Sequence, residues 1–242
     1  MGKPPDPHRF ATTHWSLIHV AGRDPDPQSR QALSELCEIY WYPLYAFVRG
    51  RGYSPSDAQD LTQAFFARLI EKKDFSRATP ELGRFRSYLV ASMSHFLANQ
   101  RDMGRRLKRG GGAVHFGFDL ETAERRYHLE PPDERTPEHV FVRRWALTLL
   151  NRVMIALREV YAKNSKAELF DRLKPYVTGE DDTPYEALGR ELELSEGAVK
   201  VAVHRLRRRF GLLLREEIAR TVSSEQDTDD ELRFLLDALR HR

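Results

Sequence analysis

TPYEALGRELELSEGAVKVAVHRLRRRF, residues 183–210, divides into two helical halves around a tight corner. Thr183-Pro184-Tyr185-Glu186 has the form of a capping box with proline at the first helical position, and Ala187, Leu188 and Leu192 give the short helix one buried face. Glu193-Leu194-Ser195 then predicts a turn, with Ser195 capping a second helix from Glu196 to about Arg215. On that helix Val199, Ala202, Val203, Leu206 and Phe210 share one face. Gly197, Lys200, Val201, His204, Arg205 and Arg208 fall largely on the other. One face packs and the other is free, which is the layout of a helix-turn-helix that reads duplex DNA. Small Gly197 and Ala198 allow close entry to the major groove. Lys200, His204 and Arg205 are placed to donate to phosphates or guanine edges, and Arg207 to Arg209 to grip backbone phosphate.

Upstream, the apolar residues between Gln28 and Gly110 recur every three or four positions and never alternate, so the expectation is an all-α fold. Leu33, Leu36, Cys37, Tyr40, Leu44, Tyr45 and Val48 form the stripe of a first helix, with Pro43 marking a kink or break and Gly50 or Gly52 an end. Ser54-Pro55-Ser56-Asp57 opens a second helix whose inner face is Ala58, Leu61, Phe65 and Leu69. A loop from Lys72 to Gly83 leads to a third helix, Arg84 to Arg106, with Phe85, Leu89, Met93, Phe96 and Leu97 inward. Gly110-Gly111-Gly112 and Pro131-Pro132 bound a flexible linker with at most transient helix. Thr136-Pro137-Glu138 caps helices at about His139–Tyr161 and Lys166–Tyr176. The resulting plan is an N-terminal extension (1–27), a helical bundle (28–109), a linker (110–138), a helix-turn-helix domain (139–222) and a C-terminal extension (223–242). The extension carries an amphipathic Leu232, Leu235, Leu236, Leu239 stripe able to dock on the body or on a partner.

The formal charge is only +3, but the pI of about 9.0 accompanies two basic runs. Arg101, Arg105, Arg106, Lys108 and Arg109 form one, and Arg205, Arg207, Arg208 and Arg209 the other, implying two contacts with a polyanion. The single cysteine, Cys37, excludes an intrachain disulfide and reads as core packing in a reducing setting. No apolar signal core and no membrane-length apolar run are present, so a soluble, cytoplasmic protein is expected. An enzyme is not expected. The nine histidines show no H-E-x-x-H or other metal-ligand spacing, no Gly-x-Ser-x-Gly elbow occurs, and the triple glycine lacks the phosphate-loop pattern. No catalytic residue, metal or cofactor is assigned.

The segment 183–210 resembles the promoter −35-reading region 4 of the sigma-70 superfamily, especially its extracytoplasmic-function type. LCEIYWYPLYAFVRGRGYSPSDAQDLTQAFFARL (36–69) resembles region 2 of that type, and GRFRSYLVASMSHFLANQRDMGRR (83–106) its −10-binding, strand-opening helix. The resemblance implies a dissociable RNA polymerase sigma factor that directs transcription initiation. Its first domain would bind the β′ clamp and open the −10 element, and its second would read the −35 duplex and contact the β flap. It implies −35 contacts from Ser195, Glu196, Gly197, Lys200, Val201, His204, Arg205 and Arg208. For the −10 element it implies Arg84, Arg86, Tyr88, His95, Asn99, Arg101, Arg105 and Arg106, with Tyr88 favoured over Phe85 and Phe96 for stacking on a base. Asp57, Asp60 and Gln63 are the implied polymerase-facing residues. The family pattern carries acids where this chain has Gln59 and Ala64. Phosphorylation of Thr62 by a Ser/Thr kinase would restore that charge, and an anti-sigma factor is the other expected regulator. The competing reading is a stand-alone helix-turn-helix repressor or activator, which would bind duplex DNA by itself, usually as a dimer.

Overall fold

The computed structural model describes residues 27–71, 84–104, 120–129, 136–179, 183–222 and 227–240. Every regular element among them is helical: α1 Pro27–Gly50, α2 Pro55–Glu71, α3 Phe85–Gly104, α4 Leu120–Leu129, α5 Pro137–Lys163, α6 Ala167–Leu173, α7 Pro175–Thr178, α8 Tyr185–Glu191, α9 Glu196–Ala219 and α10 Thr228–Arg240. Among the described residues no helix is long and apolar enough to cross a membrane. They sort into two compact units. One takes in the described residues up to Thr148 together with those from Ile218 onward, and the other is Leu149–Glu217.

The first unit is built on α1, whose side chains from Ile39 to Val48 are all buried. An all-round apolar helix of this kind must be surrounded. The helix runs through Pro43 without the expected break. The α2 helix starts as its sequence predicts, with the Asp57 amide donating to Ser54 Oγ at 3.1 Å. Its buried face is Ala58, Thr62, Phe65, Phe66 and Leu69, while Leu61 is only half-buried. The expected α3 stripe of Phe85, Leu89, Met93, Phe96 and Leu97 is buried throughout. Edge-on contacts between Tyr40 and Phe85 at 5.2 Å and tilted packing of Phe65 on Phe96 at 5.7 Å join the three helices. Burial pushes the Cys37 thiol up to about 12, so it stays protonated as a core side chain.

The expected linker contains a helix instead. Among the described side chains of α4 only Ala123 is a buried apolar residue, and polar contacts join the helix to α1. Glu124 accepts hydrogen bonds from Tyr45 Oη and from Arg49 Nε, the latter at 2.9 Å, and the Arg126 guanidinium lies 4.0 Å from the Tyr42 ring centre. The following helix, α5, opens two residues before the expected His139. The Gly110–Gly112 run, the 1–26 segment and the 72–83 loop lie outside the described residues.

The second unit holds one continuous core of Leu157, Phe170, Leu173, Tyr176, Leu188, Val199, Val203 and Leu206. Pro175 ends α6 and starts α7 at its first position, dividing in two the single helix that the sequence predicts over Lys166–Tyr176.

Candidate nucleic-acid interface

The α8–α9 corner is set by backbone chemistry at two residues. Gly189 is buried in α8, and a Cβ there would stand 2.7 Å from the Leu194 carbonyl oxygen. Only glycine permits that approach. The Leu194 amide donates to the Gly189 carbonyl at 2.8 Å, and Glu193 takes the left-handed conformation at φ 54° to complete the turn. Ser195 then caps α9 as expected, accepting from the Ala198 amide at 3.2 Å. Pro184 itself occupies the cap position with no side-chain bond, and the Thr183 carbonyl accepts from Tyr176 Oη at 2.8 Å.

This corner holds α9 with Val199, Val203 and Leu206 inward. Ser195, Glu196, Gly197, Lys200, Val201, His204, Arg205 and Arg208 are all exposed, so every −35 residue assigned from sequence lies on the surface. A Cβ at Gly197 would meet nothing within 4 Å, which leaves the start of the face open. Lys200 pairs with Glu196 at 2.6 Å, and that hydrogen bond raises its ammonium above the ordinary lysine value. Any anion reaching Lys200 therefore competes with a weak exposed ion pair. Arg205 borders a cavity of about 320 Å³ with Tyr161, Asn164 and Lys166. Burial raises the Tyr161 phenol against the opposing effect of Arg205, keeping it a neutral donor beside this face.

Arg207 departs from the expected phosphate grip. Its Nε and Nη2 donate to the Tyr176 carbonyl at 3.1 and 2.8 Å, so it ties α9 to α7. With Tyr176 in turn bonded to Thr183, the chain Arg207–Tyr176–Thr183 fixes the entry to α8.

In the first unit the residues assigned to the −10 element separate. His95 and Asn99 are exposed on α3. Tyr88 is half-buried and stacked on Phe85 with ring centres 6.0 Å apart, while Phe85 and Phe96 belong to the core. Arg84 and Arg86 are engaged by one carboxylate, Glu231 of α10, at 2.7 and 2.8 Å. Arg86 is only 7% exposed, so it is not presented to solvent as the sequence reading expected. The Arg101 side chain and residues Arg105 and Arg106 lie outside what is described.

On α2, Asp57 and Asp60 are exposed. Gln63 is buried, and Thr62 is 0% exposed with its hydroxyl donating to the Ala58 carbonyl at 2.7 Å. The Thr62 hydroxyl therefore faces the interior and is closed to a kinase, which corrects the surface placement expected of it. Sequence reasoning missed Glu231 and its neighbour Phe234, because the acidic Asp229-Asp230 pair reads as solvated charge in a loop. No family model, curated protein or solved structure matches this chain.

Proposed function

We propose that this chain is a sigma-70-type initiation factor, a dissociable polymerase subunit that works in the cytoplasm and recognises promoter DNA. One observation carries the reading: a tight helix-turn-helix corner leaves a continuous exposed face on α9, running from Ser195 through Lys200, Val201, His204 and Arg205 to Arg208. A helix of that kind fits the major groove, with a side-chain donor every turn available to base edges or phosphates. The order of the two sequence blocks, a clamp-binding-like helix pair before a helix-turn-helix, supports a bipartite promoter reader over a lone operator-binding domain.

In this reading α9 selects the −35 duplex. The exposed Asp57 and Asp60 of α2 face the polymerase clamp, and α3 offers His95, Asn99 and Tyr88 to the −10 strand. RNA synthesis itself belongs to the polymerase. The deciding experiment is in vitro transcription with core polymerase on a promoter library, with core alone as control. Initiation at a defined promoter set, dependent on this chain, is expected. Absence of any promoter-dependent product, together with dimeric binding of duplex DNA by the chain alone, would establish the repressor reading instead.

A further inference from the structure

Glu231 is 0% exposed, yet it is a carboxylate on a helix whose other buried residues are only Thr228 and Leu235. Its Oε1 accepts from Arg86 Nε at 2.8 Å and its Oε2 from Arg86 Nη2 at 3.2 Å. Oε2 also lies 2.7 Å from Arg84 Nη1. Three residues further along α10, the Phe234 ring covers the Arg86 guanidinium at 3.9 Å and sits 5.6 Å from that of Arg84. Trp145 stands 5.3 Å from the Arg86 guanidinium. To these two arginines α10 thus presents a forked anion and a π face. Those are the two chemical features of a nucleotide, whose phosphate accepts from guanidinium and whose base stacks on it.

We propose that α10 is an internal nucleotide mimic: it closes the single-strand-binding face of α3 in the free protein, and single-stranded nucleic acid displaces it. This rests on the reading of α3 as a DNA-binding helix. The anchor is suited to release because it is charged. A well-packed apolar residue at 231 would dock α10 at least as firmly, but no polyanion could compete with it. A carboxylate held by two guanidiniums is exchanged directly for a phosphate. The exposed face of α10 carries Asp229, Asp230 and Asp237 with Arg233 and Arg240, Asp230 pairing with Arg233 and Asp237 with Arg240.

The test uses the full chain, fluorescent oligothymidylate as probe, and Glu231→Gln, which keeps the shape of the side chain and removes its charge. Freeing Arg84 and Arg86 adds two phosphate contacts. The salt dependence on single strands then steepens by about 1.4, equivalent to roughly 25-fold tighter binding at 0.1 M salt relative to a 1 M reference. Equal affinity and equal salt slope for the two folded forms would make α10 a structural brace and overturn the proposal, as would absence of binding by both.

Should Glu231→Gln unfold, hydrogen exchange on the unmodified chain decides. Residues 228–240 lose protection as oligothymidylate is added if α10 is displaced, and protection held at the highest concentration refutes it. Neither readout needs polymerase. Failed transcription with α10 still released by oligothymidylate would sink only the initiation reading, whereas promoter-dependent transcription with α10 unmoved would sink only the mimic.

Discussion

Replacing Gly189 with alanine probes the corner on which the α9 face depends. In an open helix the change would stabilise by about 0.8–1 kcal/mol. Here the added methyl would stand 2.7 Å from the Leu194 carbonyl oxygen and 3.6 Å from the Glu196 nitrogen, both backbone atoms that no side-chain rotation can move aside. The turn has to open, at a typical overpacking cost of about 1–3 kcal/mol. Opening also weakens the Leu194 N–H bond to the Gly189 carbonyl, now 2.8 Å, a further ~0.5–1.5 kcal/mol. Subtracting the helix gain leaves a net loss of roughly 0.5–3.5 kcal/mol, or about half a decade to two and a half decades in a local opening constant. Native-state hydrogen exchange on the full chain reads this directly. Amides of α8 and α9, Val199 and Val203 among them, should exchange that much faster while those of α3 keep their protection. Unchanged or slower exchange in α8 and α9 would mean that Gly189 behaves as an ordinary helical glycine, and the argument for a corner held by close backbone approach would fail.

Arg205→Ala and Arg208→Ala should each reduce the salt slope of duplex binding by about 0.9 without loosening the second unit. Arg207→Ala should leave the slope alone and speed exchange around Tyr176, because it removes two donors to that carbonyl. A salt titration by fluorescence anisotropy separates the two behaviours, and a lowered slope for Arg207→Ala would return that side chain to the DNA. Burial alone would raise the Glu124 carboxyl, but the hydrogen bonds from Tyr45 and Arg49 outweigh it and hold it below its ordinary 4.5. A depressed carboxyl stabilises the folded state above the unfolded value and loses that contribution as pH falls through the folded one. The first unit should therefore weaken on acidification below about pH 4.5, and Glu124→Gln should flatten that limb. Tryptophan fluorescence follows it, since Trp15, Trp41 and Trp145 all precede the second unit. Thr62→Glu should unfold the first unit by burying an unpaired charge, a loss of several kcal/mol, whereas Thr62→Val should cost about 1 kcal/mol. A Thr62→Glu chain that melts like the unmodified one would place that side chain at the surface.

The helices that carry long apolar stripes were legible from the chain alone. α3 buries every residue its periodicity nominated, and the inward face of α9 follows from spacing at Val199, Val203 and Leu206. Thr62 was legible too in retrospect, since Ala58, Thr62, Phe65, Phe66 and Leu69 keep helical spacing and only the hydroxyl suggested an outward residue. α4 was not, because Glu124, Arg126 and their partners on α1 dock it through polar groups, and such a pattern cannot be told from a solvated linker. The engagement of Arg84 and Arg86 lay further out of reach. Periodicity describes which face of a helix is apolar, and it is silent about a carboxylate 145 positions away that neutralises the polar face.

That same separation has a bearing on how the molecule is made. Joining Arg86 to Glu231 closes a span of 145 residues, for which chain entropy alone costs on the order of 4 kcal/mol. Local helix pairs such as α1 with α2 close far shorter spans, at a smaller entropic cost. On the ribosome, Arg84 and Arg86 emerge long before residues 228–240 exist, so for much of synthesis neither guanidinium has its Glu231 partner. Only once residues 228–240 have emerged can Glu231 pair with both guanidiniums.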